Sequence, residues 1–431
     1  MRTEDLLFLK IKWKYLAKEA MMYGANEPAE LDDPNLPRYI RITDLDKDGT
    51  LKKDTFKSLE WEKARPYLLQ TGDILLARSG ATVGKAYIHE EDLVACFAGY
   101  LIKFKVDINK VLPKFVYYYT QTKEYTDWIS ENTIQATIQN VSAEKYANLE
   151  MPLPSLPIQQ LIISFLNRKV KHINGIVEQK EKLILLLEEK RQSILTEGVT
   201  KGLNPNVKMK DSGVEWIGEI PHNYKTIKLK HLVETKITDG PHETPVLYDE
   251  GVPFISAEAI KSGKVDFDYM RGFISKEDHE KYSQKCSPRY GDIFMVKSGA
   301  TTGKIGIVDT NEEFSIWSPL ALIRADKEKV LNEFLYYYMQ SDIFQKQVQL
   351  GWNYGTQQNI GMGVIENLFI ICPPLDIQKK LLEKFDAESK KIDKLKEELN
   401  NQIQKLQEYR QSLIYEAVTG KIDVHEFETA Q

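Results

Sequence analysis

The sequence predicts an α+β chain in which two similar globular domains are separated by two long helices. Those helices pair as an antiparallel coiled coil, and the whole is pseudo-two-fold symmetric. Three observations lead there. The chain is written twice at a spacing of 219 residues, each copy places short strands ahead of a helix, and each copy closes on a heptad-patterned segment.

The repeat is read most easily in Gly72–Lys85, which returns as Gly291–Lys304 with nine of fourteen positions identical. The same offset carries Tyr117-Tyr118-Tyr119 onto Tyr336-Tyr337-Tyr338, Ile158-Gln159 onto Ile377-Gln378, and Arg191-Gln192-Ser193 onto Arg410-Gln411-Ser412. Near Ile40 and Ile255 it slips to 215, a small loop insertion. A period this long duplicates a whole domain with its connector and excludes a solenoid.

Taken in order, residues 1–155 form the first globule, with strands expected over Tyr39–Thr43, Asp73–Ala77, Ala86–His89 and Tyr100–Val106. One helix should follow, because Phe115, Tyr118, Tyr119, Thr122, Tyr125 and Ile129 recur at helical spacing. That spacing makes the aromatic stripe core packing and not a base-stacking platform. Residues 156–200 form the first long helix and 201–224 a connector; 225–375 repeat the globule, with strands over Pro253–Ser256, Asp292–Val296, Ile305–Val308 and Ala321–Arg324. Its helix carries Phe334, Tyr337, Tyr338, Ser341, Phe344 and Val348. Residues 376–420 form the second long helix and 421–431 a tail.

The coiled-coil seam follows strict sevens: Leu166, Ile173, Lys180, Leu187 and Ile194 in the first helix, and Phe385, Ile392, Leu399, Leu406 and Leu413 in the second. Ile162, Ile176, Leu183, Leu381 and Leu395 fill in beside it. Gly175 and Lys180 weaken the first helix, so each should need its partner. Some 40 helical residues span roughly 60 Å, and the connector is short. The second helix is therefore expected to return antiparallel, with the two globules at opposite ends of a rod.

Composition narrows the function. With 42% hydrophobic and 28% charged residues this is an ordinary globular chain, and no apolar run approaches the length of a bilayer span. Arg2, Glu4, Asp5 and Lys10 interrupt any secretory h-region, which gives a cytosolic expectation. Cys96, Cys286 and Cys372 stand far apart and are expected as free, buried thiols. The 58 basic against 63 acidic side chains leave a net charge of −5, so any DNA contact must come from a local basic face. Gly80–Ala86 and Gly299–Ile305 resemble a P-loop only in outline: the spacer is one residue short and no Ser or Thr follows the lysine. Cys372-Pro373-Pro374-Leu375 lacks the polar first residue and the aromatic of an amino-methyltransferase motif. The seven His residues show no metal-ligand spacing.

Two related heads at a set separation suit a ligand with two half-sites, and duplex DNA is the natural candidate. Arg78-Ser79 with Lys85, and Lys297-Ser298 with Lys304, are candidate phosphate contacts: the glycines beside them allow close backbone approach and the side chains supply donors. The competing reading is a tight turn with a solvated charge. Thr137-Ile138-Gln139-Asn140 and Thr356-Gln357-Gln358-Asn359 carry amides suited to adenine. Their presence in both heads favours a structural loop clamp, because heads reading different bases should differ where they read. Base contacts are therefore sought in divergent loops: Tyr23, Asn26 and Glu27 in one head, Asp239, His242 and Thr244 in the other. For His242 an ordinary turn residue is the alternative.

Two further stretches carry a family resemblance. Gly213-Val214-Glu215-Trp216-Ile217-Gly218-Glu219-Ile220-Pro221 opens the second half, and Glu416-Ala417-Val418-Thr419-Gly420-Lys421-Ile422-Asp423-Val424 closes it. With Pro253-Phe254-Ile255 and the paired Gly-Asp-Ile blocks, they make the whole chain resemble the specificity subunit of a type I restriction–modification system. The first half departs from the pattern, starting almost directly at Lys12-Trp13-Lys14. The resemblance implies a non-catalytic subunit with two target recognition domains, each reading half of an asymmetric bipartite DNA site. It implies docking of two methyltransferase subunits on the helix pair, and two restriction subunits in the complete endonuclease. S-adenosylmethionine, ATP and Mg would be bound by those partners, leaving this chain without a cofactor, without a membrane and in the prokaryotic cytosol. A stand-alone DNA adenine methyltransferase or nuclease, and a coiled-coil protein adaptor, are the alternatives.

Overall fold

A four-residue strand buried on both faces organises each head. In the computed structural model, which describes residues 8–46, 49–52, 54–90, 92–133, 140–204, 206–354 and 358–424, these strands are Ile74–Ala77 and Ile293–Val296. Side chains alternate along a strand, so one strand feeds two cores. Ile74 and Leu76 pack with the helical side of the first head, while Leu75 and Ala77 face a second cluster with Ile40, Tyr87 and Phe97. Ile293 and Met295, against Phe294 and Val296, divide in the same way. Continuous burial explains why both strands read as unbroken apolar runs.

Around it the first head builds a four-stranded sheet in the order Met22–Tyr23, Leu101–Phe104, Ile74–Ala77, Ala86–Ile88. The second repeats that order with Thr238–Asp239, Leu320–Ile323, Ile293–Val296 and Ile305–Ile307, then adds Lys264–Val265 and Ile260–Lys261. A smaller parallel pair, Arg38–Ile40 with Ala95–Phe97, recurs as Val252–Ile255 with Ser315–Ile316. The strand expected over Tyr39–Thr43 is shorter: Ile42–Asp44 is a 3-10 turn, fastened by the Asp44 carboxylate, which accepts from the Arg41 backbone and guanidinium.

The helix expected through the aromatic stripe is two helices in each head, Pro113–Tyr119 with Lys123–Asn132 and Asn332–Gln340 with Asp342–Leu350. Thr122 and Ser341 make the break. Each buried hydroxyl donates to the carbonyl three residues back (Tyr119, 2.8 Å; Tyr338, 2.6 Å), and Thr122 also accepts from the amide of Tyr125. The stripe itself is core, as expected, with Phe115, Tyr119, Tyr125, Phe334, Tyr338 and Phe344 almost fully buried. Trp13 stacks on Phe104 with ring centroids 4.9 Å apart and is ringed by Tyr119, Tyr125 and Tyr146. The first head's edge is closed like the second's: Lys10–Lys12 pairs with Glu150–Pro152, and Lys225–Lys228 with Phe369–Cys372.

The long helices run Leu156–Lys201 and Leu375–Val418. The chain divides into two compact units, Met1–Lys180 with Asn400–Gln431 and Glu181–Leu399, so each unit joins one head to a segment of both helices. In the first, Ile162, Leu166 and Ile173 share a core with Leu413, Ala417 and Val418. In the second, Lys396 donates to Glu188 (2.8 Å), Arg191 pairs with Asp393, and Gly198 meets Phe385, so the segments run antiparallel. A Cβ on Gly198 would lie 2.5 Å from the Phe385 ring, which explains a glycine in mid-helix. The heptad seam holds in part. Leu166, Ile173, Phe385, Ile392, Leu399 and Leu413 are buried, Leu187, Ile194 and Leu406 are half-buried, and Leu183 and Leu395 are exposed. Leu195 replaces Ile194 in the core, because a straight helix drifts about 20° per heptad against a strict seven-residue repeat. No described helix is long and apolar enough to cross a membrane.

One buried glutamine ties each head to its helix. The Gln159 side chain accepts from the amide of Leu112 (2.8 Å) and donates to the carbonyls of Lys110 and Pro154 (3.2 and 2.9 Å). Gln378 does the same with Leu331, Lys329 and Pro373. Tyr118 and Tyr337 add a second tie, donating to Asn167 (2.7 Å) and Asp386 (2.6 Å) on the long helices. Gln159→Leu keeps the volume and strands the Leu112 amide. It should lower stability by about 1–3 kcal/mol, with Gln378→Leu matching it, read as a fall in urea midpoint.

Candidate nucleic-acid interface

Where each central strand leaves the core, the chain turns through the candidate phosphate residues. The Ala77 amide donates to Lys85 (2.8 Å) and Gly84 returns a bond to Ala77 (2.9 Å); Val296, Lys304 and Gly303 repeat both bonds at 2.9 and 2.7 Å. Gly84 has φ 84° and Gly303 φ 93°. At Gly84 a Cβ would also lie 2.9 Å from Ile129, so backbone and space both demand glycine there.

The amide-rich loop is laid across this turn. Val141 and Ile360 donate to the carbonyls of Arg78 and Lys297 (both 2.8 Å), and Asn140 and Asn359 bridge Ser79 and Ser298 as isolated β partners. Asn140 also accepts from Arg78 Nε at 3.3 Å. The described part of the loop is therefore a clamp, as the sequence favours; Thr137, Gln139, Thr356 and Gln357 lie outside the described residues.

The register exposes a correspondence the sequence concealed. Tyr23 pairs with Ile102 and Asp239 with Ala321, and these partners are themselves 219 apart. Tyr23 and Asp239 thus occupy the same edge-strand position, facing the same turn cation. In the first head the Arg78 guanidinium lies over the Tyr23 ring, 4.6 Å from its centroid. In the second the Lys297 ammonium pairs with the Asp239 carboxylate at 3.1 Å. One cation is retained; what holds it has changed.

The residues of the base-reading set differ in how far they are held by the protein itself. Asp239 is 6% exposed and is held by Lys285 (2.5 Å), Lys297 and His242 Nε2 (3.2 Å), so its carboxylate oxygens are taken. Burial alone would push its carboxyl up; the hydrogen bonds and charges of Lys285 and Lys297 outweigh that and hold it below its ordinary value. Tyr23 keeps an exposed edge, but its hydroxyl accepts from the Ala143 amide (3.0 Å). Glu27 pairs with Lys63 at 2.9 Å. Asn26, His242 and Thr244 remain exposed, with His242 70% open at its side chain. Lys85 donates to the Asp46 carbonyl at 3.2 Å. Burial, then the charge of Lys261, pushes the half-buried Lys304 ammonium pKa down.

Sequence reasoning missed the residues that hold the loops. Tyr39 donates to the carbonyls of Ala25 (2.8 Å) and Glu27 (3.1 Å) in the first head. Lys281 pairs with Glu243 (2.6 Å) in the second. Lys281 and Lys285 lie at the end of a helix, Lys276–Ser283, in a stretch with no match in the repeat, so no internal signal marked them. Among the described residues no cluster of three His, Cys, Asp or Glu side chains is placed to hold a metal. The three thiols are free and buried, which pushes Cys96 and Cys286 up to about 12 and Cys372 to about 11.

Comparison with known proteins places this geometry. A family described as "Type I restriction modification DNA specificity domain" matches residues 25–186 and again 221–405. The MjaVIII specificity subunit of a type I restriction enzyme from Methanocaldococcus jannaschii is 24% identical over 406 residues, covering 92% of this chain and 89% of its own. The EcoBI specificity subunit of Escherichia coli is 22% identical over 389 residues, covering 89% and 79%. Among solved structures, a chain from a study of assembly and conformational transition in the type I R-M system superposes with a TM-score of 0.68 at 16% identity, over 98% of this chain and 100% of that one. This last likeness shows the fold.

Asp239→Asn removes the charge that holds Lys285 and Lys297. It should cost about 1–3 kcal/mol at neutral pH, below the roughly 3–5 of a fully buried broken pair because Lys285 is half-exposed. A carboxyl held below its unfolded value stabilises above that value and loses its contribution as pH falls through the folded one. The gap in melting temperature between wild type and variant should therefore close as pH drops below about 4.

Proposed function

The chain belongs to the type I restriction–modification DNA specificity family, and from that premise we propose that each head reads one half of a bipartite duplex site. The observation that carries this is the shared frame with unlike loops. Both heads keep the central strand, the turn with its cation and the clamp, while Asn26 in one and His242 and Thr244 in the other stand exposed on loops of different sequence. A common frame supplies what every duplex offers, its phosphates; differing loops supply what distinguishes two half-sites.

On this reading the chain is a recognition subunit and carries no catalysis of its own. The long helices set the gap between half-sites and dock two methyltransferase subunits, with two restriction subunits completing the endonuclease. S-adenosylmethionine, ATP and Mg are held by those partners. The assembly works on DNA in the prokaryotic cytosol. The ion pairs beside the turns hold loops and cations in place, which supports a binding role.

Methylome sequencing of cells with and without this chain tests the proposal, and loss of one bipartite methylation motif is the expected result. Methyl transfer or DNA cutting by the purified chain alone would overturn it, as would an unchanged methylome. Matched four-residue insertions beside Gln179 and Gln402 add about 6 Å of helix. They should lengthen the unread gap by about one to two base pairs with both half-sites preserved.

A further inference from the structure

A cavity of about 560 Å³ opens beside the Thr238–Asp239 edge strand of the second head, bordered by Lys236, Lys285, Ser283 and Ser287. Its charge is not balanced. Arg324, at the back, is consumed by a two-pronged bond to Asp292 (2.8 and 2.7 Å) and by the Ser287 carbonyl (2.8 Å). Lys285 and, alongside, Lys297 share the single carboxylate of Asp239, and Lys236 is a further cation on the rim. Lys285 spends two of its three N–H donors on Asp239 and on the Gly240 carbonyl (3.2 Å), which leaves one. Lys236 is exposed.

We propose, building on the specificity reading above, that this cavity seats one backbone phosphate of the DNA, on the second head alone. A phosphodiester carries one negative charge and only acceptor oxygens. The lining offers a net positive charge, a spare ammonium donor on Lys285, a second lysine and the Ser287 hydroxyl. Its position agrees: the chain passes from Asp239 through Gly240 and Pro241 straight to the exposed His242, so the seated phosphate lies next to the loop proposed to read bases. The first head is the internal control. By edge-strand register Lys236 and Thr238 correspond to Ala20 and Met22, and the stretch that supplies Lys285 and Ser287 has no match in the repeat. Nearby, Glu19 is paired with Lys103 at 3.2 Å. Among the described residues, neither edge-strand position there carries the lysine of the second head.

The test measures binding of the full chain to a duplex bearing its site, from about 50 to 200 mM salt, for wild type, Lys285→Gln, Lys236→Gln and the double variant. Each phosphate neutralised contributes about 0.9 to the slope of log affinity against log salt. Each single variant should lose about one unit of slope, and the double variant about one and not two, because both lysines serve the same phosphate. The methylation motif should not change. Lys236→Gln, an exposed position, guards against a folding defect in Lys285→Gln. Equal slopes in all four proteins, with site binding intact, overturn the seat. So does a melting temperature that inorganic phosphate raises in wild type but not in Lys285→Gln while the slopes stay equal, which would mark a small-anion site. No preference of the unmodified chain for any bipartite duplex overturns the specificity reading instead.

Discussion

Everything at the reading edge depends on one strand per head that is buried on both faces. Ile74–Ala77 and Ile293–Val296 each send alternate side chains into two separate cores, and each fully buried aliphatic side chain contributes about 1.5–3 kcal/mol. A strand held in that way cannot slip by one residue without exchanging its two faces. Its end is therefore a fixed point. Arg78 and Lys297 leave the sheet at that point, so their placement is decided by hydrophobic packing and not by the loops around them.

The fixed point matters only if the head is itself fixed to the helices. Gln159 and Gln378 do this with the same three hydrogen bonds to backbone, at fully buried positions. Such a bond adds little net stability when made but is expensive to leave unmade, which suits a joint whose task is angle. A hydrophobic contact would tolerate rotation of the head. The amide fork admits one orientation.

The parts legible in the sequence share a physical signature. Duplication, unbroken apolar strands and the buried aromatic stripe all follow from side-chain hydrophobicity at regular spacing, and a single chain displays that. The break at Thr122 and Ser341 was hidden because apolar periodicity runs through it; only the hydroxyl bonds to Tyr119 and Tyr338 show that the helix stops. The heptads were right about existence and wrong about detail at Ile194, Leu183 and Leu395, since a strict repeat does not record helical drift. The site was less legible. A slipping offset hid the equivalence of Tyr23 and Asp239, and no pattern announces that a carboxylate on a divergent loop is already spoken for by two lysines and a histidine.

That equivalence says how two heads diverge without losing the frame. A cation beside a reading surface needs a partner that orients it without cancelling it. The Tyr23 ring does so for Arg78 through its π face, which carries no net charge. Asp239 would cancel Lys297 if it stood alone; Lys285 beside it restores the positive balance, so the carboxylate becomes a bracket between two ammonium groups. Exchange of an aromatic for a carboxylate at this position is therefore tolerable only together with a second lysine. In this chain that lysine came from the segment around Lys276–Ser283 that the first head does not match. A segment present in one head supplies the charge that its edge-strand carboxylate requires, on a frame that both heads share.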